Sequence, residues 1–472
     1  MTNRSDALEL ARSSLAAYGA ALRPDFEIPD HIRIVVDALE RLENGKLTRL
    51  LVILPPRHGK SLLCSQIFPS WFLGRNPTKS VITASYGESL ATDFGRTVRG
   101  FLADDLHRAI FPNCQLAKDV AAQNRLATTQ GGFYFGVGRG GAVTGRGCDL
   151  LVLDDLLKDY EEAHSETIRK SAWDWLQHVA LTRLSPTGAI VAVGTRWHEA
   201  DPLGRLTEEV ADCEVIHFPA IAEGDECFRK GGEALWPSCF PLPVLEQIRA
   251  AIGERAWMTL YQGRPSAAEG SIFRREWFRT YTAPPDKVLR LVQSWDVAAK
   301  MGAANDYSVC TTWATTETGY YLLGLWRGKC EFPDLKRQFA VLAEEWRPDV
   351  IVVEDSSAGI GLIQELKSAT RYSVLPVNPS KSKELRALSV TPMFEAGKVL
   401  LPQGAFWLDD LMEELCSFPS GVHDDMVDST TQALNYLRGK PAAVLAVPTL
   451  LPGRAYFHLD DSEDFVGGAR PG

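Results

Sequence analysis

The chain has 472 residues, 45% hydrophobic and 23% charged; this is too long for one ordinary core and close to the globular average, so about two domains are expected and a fibrous or natively unfolded chain is excluded. Lysine and arginine total 50 against 60 acids, a formal net charge of −10, which excludes a surface coated in nucleic-acid-binding charge but leaves room for a local basic groove. The opening MTNRSDALELARSSL lacks the apolar centre of a signal peptide and no apolar run of about 18 residues follows, so a cytoplasmic location without a membrane partner is expected. Nine scattered cysteines with no CxxC pair predict reduced thiols rather than a zinc or disulfide framework.

In chain order, apolar β-rich runs at 49–54, 80–85, 150–155, 189–195 and 214–220 alternate with helical stretches, which predicts a parallel sheet covered on both faces over residues 1–235. The first run, in RLLVILPPRHGKSLL (49–63), enters a loop ending Gly59-Lys60-Ser61 and then a helix. A triphosphate needs a lysine, backbone N–H groups at a helix N-terminus and a hydroxyl for Mg²⁺, and these three residues offer all of them. Leu54 stands where such a loop usually has its first glycine, so the loop must start differently. About a hundred residues on, CDLLVLDD (148–155) ends an apolar strand in Asp154 and Asp155, suited to Mg²⁺ and to orienting a water; helix-capping acids are the alternative. Arg57 in the loop, and Arg139 and Arg146 in GVGRGGAVTGRG (136–147), are candidate transition-state arginines or solvated loop residues. Thr195 in GTRW (194–197) is a candidate γ-phosphate sensor or a simple strand-end turn.

Glycines and prolines break the periodicity over 236–285, a plausible connection. Strands at 288–296, 307–315 and 320–326, a helix from 333, a strand at 349–354, a helix from 360, a strand at 372–377 and helices near 383–396 and 423–437 follow, predicting a mixed sheet of the ribonuclease H type over 286–440. The Pro-, Gly- and Asp-rich tail 441–472 is expected to be mobile. Two-metal phosphodiester cleavage needs converging carboxylates around ions about 3.5–4 Å apart. Asp296 ends the first of these strands, Glu354 ends the fourth, and Asp425 and Asp428 share one helical face; each alone also fits a capping or solvated acid. Asp306 and His423 are weaker accessory candidates, and Asp355 and Asp424 are expected to point elsewhere. Lys381, Lys383 and Arg386 fit DNA-phosphate contacts or a solvated basic face.

PPRHGKS, LLVLDDLLKD, GTRWHEADPLG, SWDVAAK, VVED and HDDMVD occur in the order found in the large terminase subunit of tailed bacteriophages and prophages, and the chain resembles that family over about residues 20–440. The resemblance is specific, because two unrelated catalytic domains match in one chain. It implies an ASCE-type P-loop ATPase that drives double-stranded viral DNA into a procapsid, followed by a ribonuclease H-like endonuclease that cuts the concatemer. It implies ATP and Mg²⁺, with Mn²⁺ able to substitute at the nuclease site, and as partners the portal protein, the small terminase subunit and further copies in a ring, in the host cytoplasm. Carried over, Gly59, Lys60 and Ser61 bind phosphate and Mg²⁺, Arg57 is the loop arginine, Asp154 the metal acid, and Thr195 part of the coupling motif; Asp296, Glu354 and Asp428 or Asp425 hold the nuclease metals. The family often has glutamate where Asp155 stands, which leaves Glu161 and Glu162 as other candidates for the base; Arg146 is the preferred finger. The family's loop also departs at the first glycine. The rival expectations are a helicase-like ATPase with an inactive nuclease-like DNA-binding domain, and a structural packaging protein with a degenerate nucleotide fold.

Overall fold

A computed structural model describes residues 4–117, 124–143, 145, 147–209, 212–265, 271–297, 307–355, 363, 372–378 and 381–439, and the chain divides into two units, 1–269 and 270–472. Residues 236–285, read as a connection, are shared between them. The helix Leu242–Ile252 places Leu245 against Ala220, Ala234 and Trp257 of the first unit, whereas Ile272 and Phe273 join the core of the second. The tail 441–472, and apart from Ile363 the start of the helix expected from 360, lie outside the described residues. No described helix is long and apolar enough to cross a membrane, and all nine cysteines are unpaired.

The first unit holds seven strands, β1 (Arg49–Ile53), β2 (Ser80–Ser85), β3 (Arg125–Ala127), β4 (Phe133–Gly138), β5 (Cys148–Asp154), β6 (Leu184–Gly194) and β7 (Glu214–His217), in the order β3-β4-β2-β5-β6-β1-β7. All pairs are parallel except β3 with β4. Because side chains alternate across a strand, Leu50, Val52, Leu150 and Val152 face one core, covered by the helix Asp30–Glu43, while Leu51, Leu151, Leu153 and Ala192 face another, covered by Trp173, Leu203 and Leu206. Two covered faces explain the unbroken apolar runs in the sequence. Register sets Ile53 beside Gly194 and Asp154 beside Val193, so the carboxyl ends of β1, β6 and β5 are level, the place where open α/β sheets bind ligands.

The second unit's strands are β8 (Arg279–Tyr281), β9 (Arg290–Asp296), β10 (Ser308–Thr315), β11 (Tyr320–Gly328), β12 (Val350–Glu354), β13 (Val374–Val377) and β14 (Val399–Pro402), in the order β13-β12-β9-β10-β11-β14-β8. The β9–β10–β11 meander is antiparallel, and β12, β13, β14 and β8 add in parallel, the mixed sheet that the sequence predicts. The helix Asp425–Arg438 buries Met426, Val427, Leu434 and Leu437 on the face carrying Val292 and Val352. The helix Phe332–Trp346 covers the opposite face through Leu335, Phe339 and Leu342. The expected stretch 383–396 is two short helices, Lys383–Leu388 and Thr391–Glu395.

Candidate functional site

In the first unit the strand does not stop at Ile53. Leu54 is buried and its N–H donates to Gly194 O at 3.4 Å, so the sheet runs one residue into the loop. The left-handed backbone the loop needs comes later, at Arg57 (φ 64) and Gly59 (φ 86). Arg57 is exposed at the loop's crest. Gly59 leads into the helical turn Lys60–Leu62, followed by a π turn over Leu63–Ile67. Ser61 Oγ donates to Asp154 Oδ1 at 3.1 Å, and Ser65, inside the π turn, donates to Oδ2 of the same carboxylate. Asp154 is fully buried; burial first, and the neighbouring Asp155 second, push its carboxyl up to about 7, against the opposing pull of Ser65, Lys60 and Ser61.

Asp155 adopts φ 44, a left-handed conformation that aspartate tolerates better than most residues. Its Oδ1 accepts the Thr195 N–H at 2.9 Å, and Oδ2 lies 3.9 Å from Lys60 Nζ. Lys60, Ser61, Asp154, Asp155 and Thr195 are therefore one cluster at the level strand ends. The motif following Thr195 is held by Asp201, which the sequence reading did not single out. Buried Asp201 accepts from Arg196 Nε and from the N–H groups of Trp197, His198 and Gly204, so Arg196 is fixed in the loop. Arg139 is likewise engaged, donating to Leu156 O at 3.2 Å and Glu162 Oε1 at 3.0 Å; Glu162 also accepts the Lys158 N–H through Oε2, so both its oxygens are engaged. Glu161 is exposed, and Arg146 lies outside the described residues.

In the second unit, Val353 pairs with Trp295, which brings the next residues, Glu354 and Asp296, side by side at the ends of β12 and β9. Strand parity puts both on the face of Val292 and Val352, beneath the helix Asp425–Arg438. That helix is pinned over β9 by Ser429 Oγ donating to Ser294 O at 2.8 Å and Gln432 Nε2 donating to Trp295 O at 3.2 Å. Asp428, on the helix's inner face, is buried. The Asp296 carboxyl is pushed well above the usual range by burial and then by Asp428, Glu354 and Asp425, so the four acids share one space.

Lys383 and Arg386, for which the sequence offers DNA-phosphate contacts or a solvated basic face, stand among these acids. Arg386 bridges Glu354 Oε2 and Asp428 Oδ1, each at 3.0 Å, and Lys383 Nζ lies 2.7 Å from both Asp428 Oδ2 and Asp424 Oδ2. Asp425 turns toward Arg327, 3.7 Å away, and Arg327 stacks on Tyr307. Asp424 is thus drawn to Lys383, while Asp355 is exposed and anchored through its backbone to Val377 O. His423 packs edge-on against Tyr307; Asp306 lies outside the described residues. Among the described residues no three His, Cys, Asp or Glu side chains stand ready-made around an ion. The donor set nevertheless fits hard divalent cations, being all carboxylate oxygen, crowded enough to repel, and balanced here by two cationic side chains.

Two family matches divide the chain. "Terminase large subunit, T4likevirus-type, N-terminal" matches residues 51–280 and "Terminase RNaseH-like domain" matches 293–437. A search of curated proteins finds no match. Among solved structures, the large terminase of the thermophilic bacteriophage D6E in complex with ADP is 12% identical over 85% of this chain and 98% of its own, with a TM-score of 0.50, which supports the fold. The large terminase nuclease of thermophilic phage G20c with bound magnesium is 22% identical over 36% of this chain and 98% of its own, with a TM-score of 0.26.

Proposed function

The chain belongs to the terminase large subunit family, and from that footing we propose how its two units divide the work. It is a DNA-packaging enzyme, an ATPase joined to a nuclease. In the first unit the backbone N–H groups at Gly59–Ser61 and the Lys60 ammonium receive the β- and γ-phosphates of ATP, as their place at a helix N-terminus favours. Ser61 and Asp154 hold Mg²⁺. Asp155, steadied by the Thr195 N–H, presents its other oxygen to orient the attacking water, and Thr195 passes the state of the γ-phosphate to the Asp201-stapled loop. Arg57 and Arg146 supply charge to the transition state.

In the second unit Asp296, Glu354, Asp428 and Asp425 hold Mg²⁺ or Mn²⁺ for cutting double-stranded DNA. Divalent ions supply, when bound, the positive charge that a transferring phosphoryl group or a departing phosphodiester oxygen needs. The D6E relative, solved in complex with ADP, supports the nucleotide assignment. Portal protein, small terminase subunit and sister copies in a ring are the proposed partners, with the host cytoplasm as the site of assembly.

The observation that carries this reading is that each unit independently gathers acids at strand carboxyl ends, Asp154 and Asp155 at the end of β5 beside Ser61 in one, and Asp296 and Glu354 at the ends of neighbouring β9 and β12 in the other. A nuclease-dead helicase-like protein has no use for the second cluster. Lys60→Ala is expected to lower DNA-stimulated ATP hydrolysis by about 100-fold or more while leaving Mn²⁺-dependent plasmid cleavage in place. Asp296→Asn is expected to do the reverse. Cleavage that survives Asp296→Asn contradicts the nuclease assignment.

A further inference from the structure

Arg386 spans two carboxylates contributed by separate elements, Glu354 at a strand end and Asp428 on a helix, with one guanidinium nitrogen on each. A divalent ion shared by these acids would make the same connection. One turn earlier on the same short helix, Lys383 takes the other oxygen of Asp428. We propose that Arg386 and Lys383 form a built-in counterion that competes with divalent metal for Asp428 and Glu354, so that loading the nuclease requires these two side chains to withdraw. The proposal rests on reading the acid cluster as the nuclease metal site.

Both oxygens of Asp428 already carry a cationic partner, Oδ1 Arg386 and Oδ2 Lys383, so an ion approaching this carboxylate meets a fixed positive charge at each oxygen. The pairing is buried: the Arg386 side chain is 12% exposed and that of Asp428 5%. It is therefore little screened by salt and a substantial competitor. The far end of the helix bearing the two cations is anchored to the helix Asp425–Arg438. Asn435 Nδ2 donates to Arg386 O at 3.0 Å, and Ser389 Oγ donates to Asn435 Oδ1 at 2.6 Å. Lys383 at the near end is half exposed, so its side chain has solvent to move into. Among the described residues Arg386 Nε is buried without a hydrogen-bond partner, so the bridged arrangement leaves a donor that a withdrawn side chain could satisfy in water. The consequence is a nuclease that stays unloaded at divalent-ion levels sufficient for the ATPase.

Titration of the full chain with Mn²⁺ alone, followed by the electron paramagnetic resonance signal of free Mn²⁺, tests this without reference to cleavage. Asp296→Asn identifies the binding that belongs to the nuclease acids. Arg386→Gln is expected to tighten that component about tenfold, the scale of losing charge-assisted hydrogen bonds, and Lys383→Gln by a smaller factor in the same direction. Should Arg386→Gln fold poorly because Glu354 and Asp428 are left facing each other, Lys383→Gln at the exposed end of the helix carries the test. Affinities equal to or weaker than that of the unaltered chain in both variants overturn the counterion. If no form shows Mn²⁺ binding that depends on Asp296, the metal-site reading falls and the counterion with it.

Discussion

Asp155 is the residue on which the first site turns, because its left-handed backbone aims one carboxylate oxygen at the Thr195 N–H and leaves the other facing Lys60. That aim depends on the absence of a side chain beneath it: a Cβ on Gly194 would stand 2.8 Å from Asp155 Oδ1 and 2.8 Å from Leu203 Cδ1. Gly194→Ala is expected to lower kcat for ATP hydrolysis by about 100-fold, the usual cost of displacing a catalytic group by about an ångström, with little change in nucleotide affinity. An unchanged kcat would mean that Asp155 is not the water-orienting group. The residue types of this site were legible, because a lysine and hydroxyl after a strand, and acids ending another, have few other reasons to occur together. Ser65 was not, since a π turn inserts a residue and rotates it onto Asp154, and nothing in LCSQI announces such a turn. The charge of Arg386, all that the sequence shows of it, does not distinguish a phosphate contact from a buried carboxylate contact.

At the scale of elements, the second site depends on where one helix begins. Asp424 precedes Asp425–Arg438 without capping it; Glu414, from the helix Leu408–Ser417, instead accepts the Met426 and Val427 N–H groups at 2.7 and 3.1 Å. A carboxylate at a helix N-terminus satisfies free donors and complements the helix dipole, even though burial raises its pKa. Glu414→Ala is expected to cost the second unit about 2 kcal/mol in urea unfolding and to reduce cleavage by loosening Asp425 and Asp428, whereas Glu414→Gln, which keeps the acceptor, retains most of both. Equal losses in the two variants would argue against the cap. Long apolar strands such as β5 and β9 were legible from their composition, but β3, β8 and β14 are only three or four residues long and carry too little pattern to read. Gly136 and Gly138 weaken the strand pattern of β4. Gly136 is there because a Cβ would meet Ala91 O at 2.6 Å, so a strand packed tightly under a helix resembles a turn in sequence.

At the scale of the whole molecule, the first unit carries a set of buried histidines that makes its stability depend on pH. Burial lowers His31, His58 and His107 from the ordinary 6.5 to about 4. In His107, for instance, the Tyr18 hydroxyl lies 2.7 Å from Nδ1, and Nε2 is buried without a partner. Below the unfolded value the unfolded chain takes up protons that the folded unit refuses, so stability present above about pH 6.5 is lost as pH falls toward about 4, by roughly 2 kcal/mol per histidine at about pH 5. Asp154, raised to about 7, works in the opposite direction, but it is one group against three. Thermal unfolding of the full chain should therefore show the first unit's transition falling between about pH 7 and about pH 5, and His107→Gln should reduce the fall; a transition that does not move contradicts the burial of neutral histidines. Two separate phosphate-cleaving centres on one chain require two separate sets of divalent ions, and a crystal structure with Mn²⁺ and a non-hydrolysable ATP analogue, using anomalous scattering to find the ions, would locate them. Manganese should lie beside Ser61 and Asp154 against the analogue's β- and γ-phosphates, and again among Asp296, Glu354 and Asp428 with Arg386 displaced. Nucleotide bound away from Lys60, or manganese absent from the three acids at saturating concentration, would contradict the presence of two centres.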